Sequence, residues 1–112
     1  MKLNLQNRKL AMDPNTSPET LARLANDGNY NVRYWVAWNL NTSPETLERL
    51  ANDKDFDIRI EVACNPNTAP ETLARLANDE DSYVRAWVAE NQNTPQYIKD
   101  YLKICKFIEH KN

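Results

Sequence analysis

Residues 15–27 read NTSPETLARLAND, residues 41–53 read NTSPETLERLAND and residues 67–79 read NTAPETLARLAND. One phrase thus returns at a spacing of 26 residues. Within it, Thr16, Thr42 and Thr68 each precede Glu19, Glu45 and Glu71 by three positions. That is capping-box spacing, in which the threonine oxygen and the glutamate satisfy each other's free backbone N–H groups. Pro18, Pro44 and Pro70 fall in the first turn, where a missing N–H costs nothing. Leu21, Leu24 and Ala25 then form an apolar stripe at i, i+3 and i+4, repeated by Leu47, Leu50, Ala51 and by Leu73, Leu76, Ala77. The phrase predicts a short helix.

The segments between the phrases also correspond. They read NVRYWVAWN at 31–39, DIRIEVACN at 57–65 and YVRAWVAEN at 83–91. At 100° per residue, Val32, Val36 and Ala37 share a face, as do Ile58, Val62, Ala63 and Val84, Val88, Ala89. The spacing near 3.6 residues, with no strict alternation, selects a helix over a strand despite the β-branched residues. Asn39, Asn65 and Asn91 follow the last apolar residue, where Asn tolerates a left-handed C-terminal conformation.

A unit of this size cannot bury its stripe alone, so neighbours must stack, and about three are needed for stability. The chain supplies three full units, 15–40, 41–66 and 67–92, within a single repeat domain spanning 1–112. Residues 1–14 read as a partial unit closing one end, with Leu10-Ala11 in the Val-Ala places. Residues 93–112 open a fourth unit with NTPQ, one residue short, and continue as an amphipathic capping helix. Its expected apolar face is Ile98, Tyr101, Leu102, Cys105 and Ile108, with Lys99, Lys103 and Lys106 on the wet side. The fold class is therefore an all-α solenoid of two-helix repeats without β-sheet.

Composition narrows the function. The 112 residues are 41% hydrophobic and 27% charged, with one Gly, as expected of a folded, soluble helical protein. The start, MKLNLQNRKLAMDP, does not read as a secretory signal, no later apolar run is long enough to span a bilayer, and a reducing cytoplasm is the expected location. Cys64 and Cys105 are too few and too far apart for a thiolate metal site or a disulfide framework. Residues 15–92 carry thirteen acidic against seven basic side chains, a balance of −6, while the two ends together are +4. An acidic body is the wrong electrostatic footprint for sequence-independent nucleic-acid binding. The single histidine, His110, reads as a solvated tail residue, and phosphate-loop, metalloprotease and nucleophile-elbow motifs are absent. No cofactor or metal is expected.

The string IRIEVACNPNTAPETLARLAND at 58–79 resembles the leucine-rich repeat variant family, distantly akin to HEAT-type solenoids. The likeness recurs in register along nearly the whole chain. It implies units that pair an α-helix with a 3₁₀-helix, wound into a right-handed superhelix; which helix is 3₁₀, or whether the second is a short α-helix, periodicity alone leaves open. The founding type of the family also carries a cysteine-rich iron–sulfur segment; this sequence has no such cluster, so that role is not carried over. A family likeness of this kind defines a frame and leaves activity open.

Comparing the three units with one another separates frame from free surface. Arg33, Arg59 and Arg85 are invariant and project toward the apolar face, so each must be paired. Asp27, Asp53 and Asp79, at the turns between helices, are the expected partners. Glu19–Arg23 and its equivalents read as i, i+4 pairs on the wet face. The outer face of the second helix, in contrast, varies. It holds Tyr34, Trp35 and Trp38 in the first unit, Ile60, Glu61 and Cys64 in the second, and Tyr83, Ala86, Trp87 and Glu90 in the third. Positions that accept Glu lie near water, yet they hold all three tryptophans. Trp38 points most directly away from the core, Trp35 and Trp87 lie at its boundary, and Tyr30 and Phe56 read as turn packing. Aromatic anchors within an acidic rim (Asp53, Asp55, Asp57, Glu61, Asp79, Glu80, Asp81, Glu90) are the anatomy of a binding hot spot.

The sequence thus predicts a non-enzymatic module that binds a protein or peptide through Tyr34, Trp35, Trp38, Ile60, Glu61, Tyr83, Trp87 and Glu90. The expected partner offers basic residues around an apolar anchor. A homodimer joined through the same patch, or through the opposed charges of ends and middle, is the alternative. A HEAT-like nucleic-acid binder that stacks bases on tryptophan ranks below both, because the body is acidic.

Overall fold

The computed structural model describes residues 2–111, with side chains described for residues 4–109. The His110 side chain lies outside the described residues. Eight α-helices follow in order: α1 (Lys2–Met12), α2 (Pro18–Leu24), α3 (Tyr30–Trp38), α4 (Pro44–Leu50), α5 (Phe56–Cys64), α6 (Pro70–Leu76), α7 (Ser82–Glu90) and α8 (Gln96–Lys111). Among the described residues there is no strand. Both helices of every unit are α-helical, and 3₁₀-type bonds occur only at helix ends, as in the closing turn of the first helix. There the Asn26 and Asp27 N–H groups donate to the Arg23 and Leu24 carbonyls three residues back.

The chain forms two rows. The second-segment helices stack directly, α1 on α3, α3 on α5 and α5 on α7, with α8 against α7. The short helices α2, α4 and α6 fill the second row, each against the neighbouring members of the first. The array measures 51 × 23 × 16 Å. Its radius of gyration is 14.7 Å, against about 13 Å for a compact chain of this length. The apolar stripes read from the sequence are the core: Leu21, Val32, Val36, Leu47, Ile58, Val62, Leu73, Val84 and Val88 are fully buried.

The capping box is displaced by one residue. The N-caps of α2 and α4 are Ser17 and Ser43, whose oxygens accept from the Thr20 and Thr46 N–H groups. Proline occupies the next position, so the threonine before the serine lies outside the helix. Its hydroxyl turns back to close the preceding helix, as Thr16 donates to the Leu10 carbonyl, Thr42 to Val36 and Thr68 to Val62, all at 2.6 Å. In the third unit Ala69 holds the cap position and makes no cap bond.

The asparagines are not in a left-handed conformation either. Asn39, Asn65 and Asn91 sit at φ −69°, −71° and −75°, and no non-glycine residue among those described has a positive φ. What the position uses is the amide. Asn65 Nδ2 donates to the carbonyls of Ala37 (2.9 Å) and Asn39 (3.0 Å) in the preceding unit, while its Oδ1 accepts the Asn67 N–H. Asn39 and Asn91 make the equivalent bonds one unit earlier and one unit later.

The arginine–aspartate ladder also runs between units rather than within them. Arg33 pairs with Asp53 (2.9 Å) and Asp55 (3.0 Å) of the following unit, and Arg59 with Asp79 at 2.8 Å. Within its own unit Arg33 reaches only the backbone carbonyls of Asp27 and Gly28. Each aspartate has two tasks: Asp53 Oδ1 holds its own turn by accepting the Asp55 N–H, and Oδ2 receives the arginine. Asp27, with no preceding arginine unit, accepts from Asn7. Among the described residues the expected Glu19–Arg23 pairs are not formed. Arg49 instead reaches the Ala22 carbonyl and Arg75 lies 3.8 Å from Glu48, again across units.

Candidate interaction surface

With the frame residues engaged between units, the open question is the outer face of α3, α5 and α7. On α3 four rings run in series. Tyr30 and Tyr34 lie 6.0 Å apart, Tyr34 meets Trp35 edge-on at 5.3 Å, and Trp35 meets Trp38 edge-on at 5.2 Å. Helical spacing explains the order, since steps of four, one and three residues along α3 place successive rings within 4.5–7 Å, where edge-to-face contacts contribute about 0.5–1.5 kcal/mol each. Trp35 and Tyr34 are half-buried against the core. Trp38 keeps 45% of its surface exposed, and Trp87, on α7, keeps 46%.

The series is tied to the next unit by two phenol–carboxylate bonds. Tyr34 donates to Glu61 at 2.7 Å, and Tyr30 donates to Asp57. The Glu61 hydrogen bond, then burial, pushes the Tyr34 hydroxyl up to about 12. Glu61 and Asp57 therefore brace α3 against α5, and the acidic rim expected from the sequence is largely engaged inside the protein. Asp53 and Asp55 hold Arg33, Asp79 holds Arg59, and Asp81 caps α7 through the Tyr83 and Val84 N–H groups. Glu80 stays mostly in solvent, 3.9 Å from Arg59. Sequence distance hides most of this, because Asp53, Asp55, Asp57, Glu61 and Asp79 are each engaged by a residue from the preceding unit.

The eight residues singled out from the sequence separate into two groups. Tyr34, Trp35, Trp38 and Glu61 form one contiguous cluster, with Ile60 half-buried beside the core on α5. Tyr83, Trp87 and Glu90 lie on α7, one helix beyond α5. At 8–10 Å per packed helix pair that is roughly 16–20 Å away. Glu90 borders a groove of about 590 Å³ between α7 and α8, together with Arg85, Ala86, Lys99, Lys103 and Lys106. The lysines expected on the wet face thus flank this groove. It opens because Ala86 stands where the other units carry Tyr34 and Ile60. The exchange of a large residue for alanine is the sequence signal that points to it.

The family model described as Leucine rich repeat variant matches residues 56–81, the stretch from the first residue of α5 to the turn after α6. The repeat is a leucine rich repeat variant. The other units repeat its Arg, Val-Ala, Asn and Pro-Glu-Thr-Leu frame positions 26 residues away. Neither a curated protein nor a solved structure matches the chain. Within the matched stretch Arg59 and Asn65 make bonds to neighbouring units, whereas Trp35, Trp38, Trp87 and Tyr83 stand at positions whose residue type differs from unit to unit.

Cys64 is exposed, but desolvation and then the nearby Glu61 push its thiol up to about 11, away from the reactive thiolate. Among the described residues no group of three or more His, Cys, Asp or Glu side chains is arranged to hold a metal. No described helix is long and apolar enough to cross a membrane.

Proposed function

We propose that the protein is a non-enzymatic binding module, one repeat domain closed by α1 and α8, that holds a protein or peptide on the aromatic face of its second helices. Trp38 carries this reading: it is a large ring on a well-packed helix, half in water, at a position the frame does not use. Trp35 and Tyr34 stiffen it from behind, while Trp87 and Tyr83 extend the face on α7. Trp38, Trp87 and Tyr83, at 150–250 Å² per ring, leave about 350 Å² open. Covering that area is worth about 9 kcal/mol before the cost of association. Ile60 and Glu61 shape the strip between the two groups.

With most rim carboxylates already paired, selectivity rests on an apolar or aromatic anchor, with Glu80 and Glu90 available for a basic flank. The acidic body disfavours nucleic acid as the occupant. Two free cysteines suit a reducing, cytoplasmic setting.

The test is parallel peptide selection on the wild type and on Trp38→Ala. Ligands selected on the wild type are expected to lose at least about tenfold in affinity on Trp38→Ala, with unchanged helicity, as for a centrally placed hot-spot ring. Ligands indifferent to both Trp38→Ala and Trp87→Ala would place the binding surface elsewhere.

A further inference from the structure

Helix α8 does not present the face expected of it. Leu102 is buried, and Ile98 and Cys105 are half-buried against the body, but Tyr101 and Ile108, read from the sequence as core, are exposed. They belong to a second stripe. Tyr97, Tyr101, Ile104 and Ile108 follow at intervals of four, three and four residues, which places them within about 60° on one side of the helix. They are 69%, 43%, 60% and 53% exposed, respectively, and Phe107 lies on the flank. The Tyr101 hydroxyl donates to Asn78 Oδ1 at 2.7 Å, which fixes this ring while its face stays open.

We infer that this stripe is a self-complementary seam through which two copies of the chain pair as an antiparallel, twofold dimer along α8. Three observations support a second copy as the occupant. The 4-3-4 spacing is that of the a and d positions of a coiled coil, so the matching surface is another helix with the same repeat. A twofold axis passing between positions 102 and 103 sets Tyr97 of one copy opposite Ile108 of the other, and Tyr101 opposite Ile104. Each ring thus meets a β-branched side chain, and the pairing is isologous, so it closes at two copies. The exposed side chains with Phe107 offer about 500–600 Å² per copy. The dimer therefore removes about 1,000–1,200 Å² from water, enough for a biological interface of the weaker, reversible kind. The seam involves none of the residues of the aromatic face on α3, so pairing leaves that face open.

The experiment is sedimentation equilibrium of the full chain from about 1 to about 200 μM, a range over which mass action shows pairing directly. The expected mass rises from 13.0 kDa toward twice that value. Ile104→Glu, at a position in solvent in the single copy, is expected to weaken pairing at least about 100-fold, because a carboxylate enters the seam from both sides. Its far-UV circular dichroism is expected to match the wild type, and Trp38→Ala is expected to dimerise normally. A wild type that stays monomeric throughout, or a dimer that Ile104→Glu does not weaken, overturns the inference. A monomer that floats with anionic vesicles through this stripe also overturns it and makes lipid the occupant.

Discussion

Replacing Asn65 with alanine removes the clamp between the first and second units, and the structure gives its cost. Asn65 is 3% exposed and makes three hydrogen bonds, donating to the Ala37 and Asn39 carbonyls and accepting from the Asn67 N–H. At about 0.5–1.5 kcal/mol per bond, with more for a carbonyl left dry, the loss comes to about 2–4 kcal/mol. For 112 residues an unfolding entropy of about 2.1 cal/mol/K per residue converts 1 kcal/mol into roughly 4 °C. Thermal unfolding followed by circular dichroism should therefore show a Tm lower by about 8–16 °C. Asn65→Asp keeps the volume and the acceptor but sets a carboxylate against two carbonyls, so it is expected to fare no better than alanine. Asn65→Gly separates this account from a conformational one. A residue needed for a left-handed turn tolerates glycine, whereas a residue needed for its amide does not. Wild-type stability in Asn65→Gly would refute the reasoning.

Ala69→Ser should stabilise the protein by about 0.5–2 kcal/mol. It supplies the N-cap missing from α6 and a partner for the Thr72 hydroxyl, which is buried without one, whereas Thr46 has Ser43; a lower denaturation midpoint would contradict this. Asp79→Ala, which leaves the Arg59 guanidinium buried without its carboxylate, should cost about 3 kcal/mol, and Arg59→Met added to it should restore part of the loss. In an alkaline phenolate titration Tyr34 should ionise last, and Tyr34→Phe should remove that late component. The folded value of about 12 exceeds the ordinary 10.0, so the Tyr34–Glu61 bond contributes fully below pH 10. Its contribution fades as pH rises toward 12. The contribution, discounted for partial exposure, is about 1–2 kcal/mol, and equal alkaline loss in wild type and Tyr34→Phe would remove it.

The frame was legible because a 3.6-residue apolar stripe repeated three times leaves one way to bury it. Leu21, Val32, Ile58 and Val88 went where periodicity sent them. Less legible was the use of the invariant polar residues. Thr16, Asn39 and Arg33 each have a plausible local task, a cap, a turn or a charge pair, and the structure gives all three a task in joining helices or units. Sequence separation hides such bonds, since Asn39 reaches back 28 residues and Arg33 forward 20. For the same reason the acidic rim looked free when Tyr30, Tyr34, Arg33 and Arg59 already engage most of it. The exposure of Trp38 accords with Glu90 at its equivalent position, because a site that accepts a carboxylate lies near water. The second stripe of α8 is hard to see in the sequence because a helix with two apolar stripes looks, on a single wheel, like one broad face.

The central claim is that this frame leaves a tryptophan in water for a partner. Acrylamide quenching of a single-tryptophan protein, Trp35→Phe with Trp87→Phe, tests it most directly when done at a concentration where the chain is monomeric. The account predicts red-shifted Trp38 emission, quenched nearly as readily as free tryptophan. Blue-shifted, protected emission from that monomer would make Trp38 part of the packing and contradict the claim.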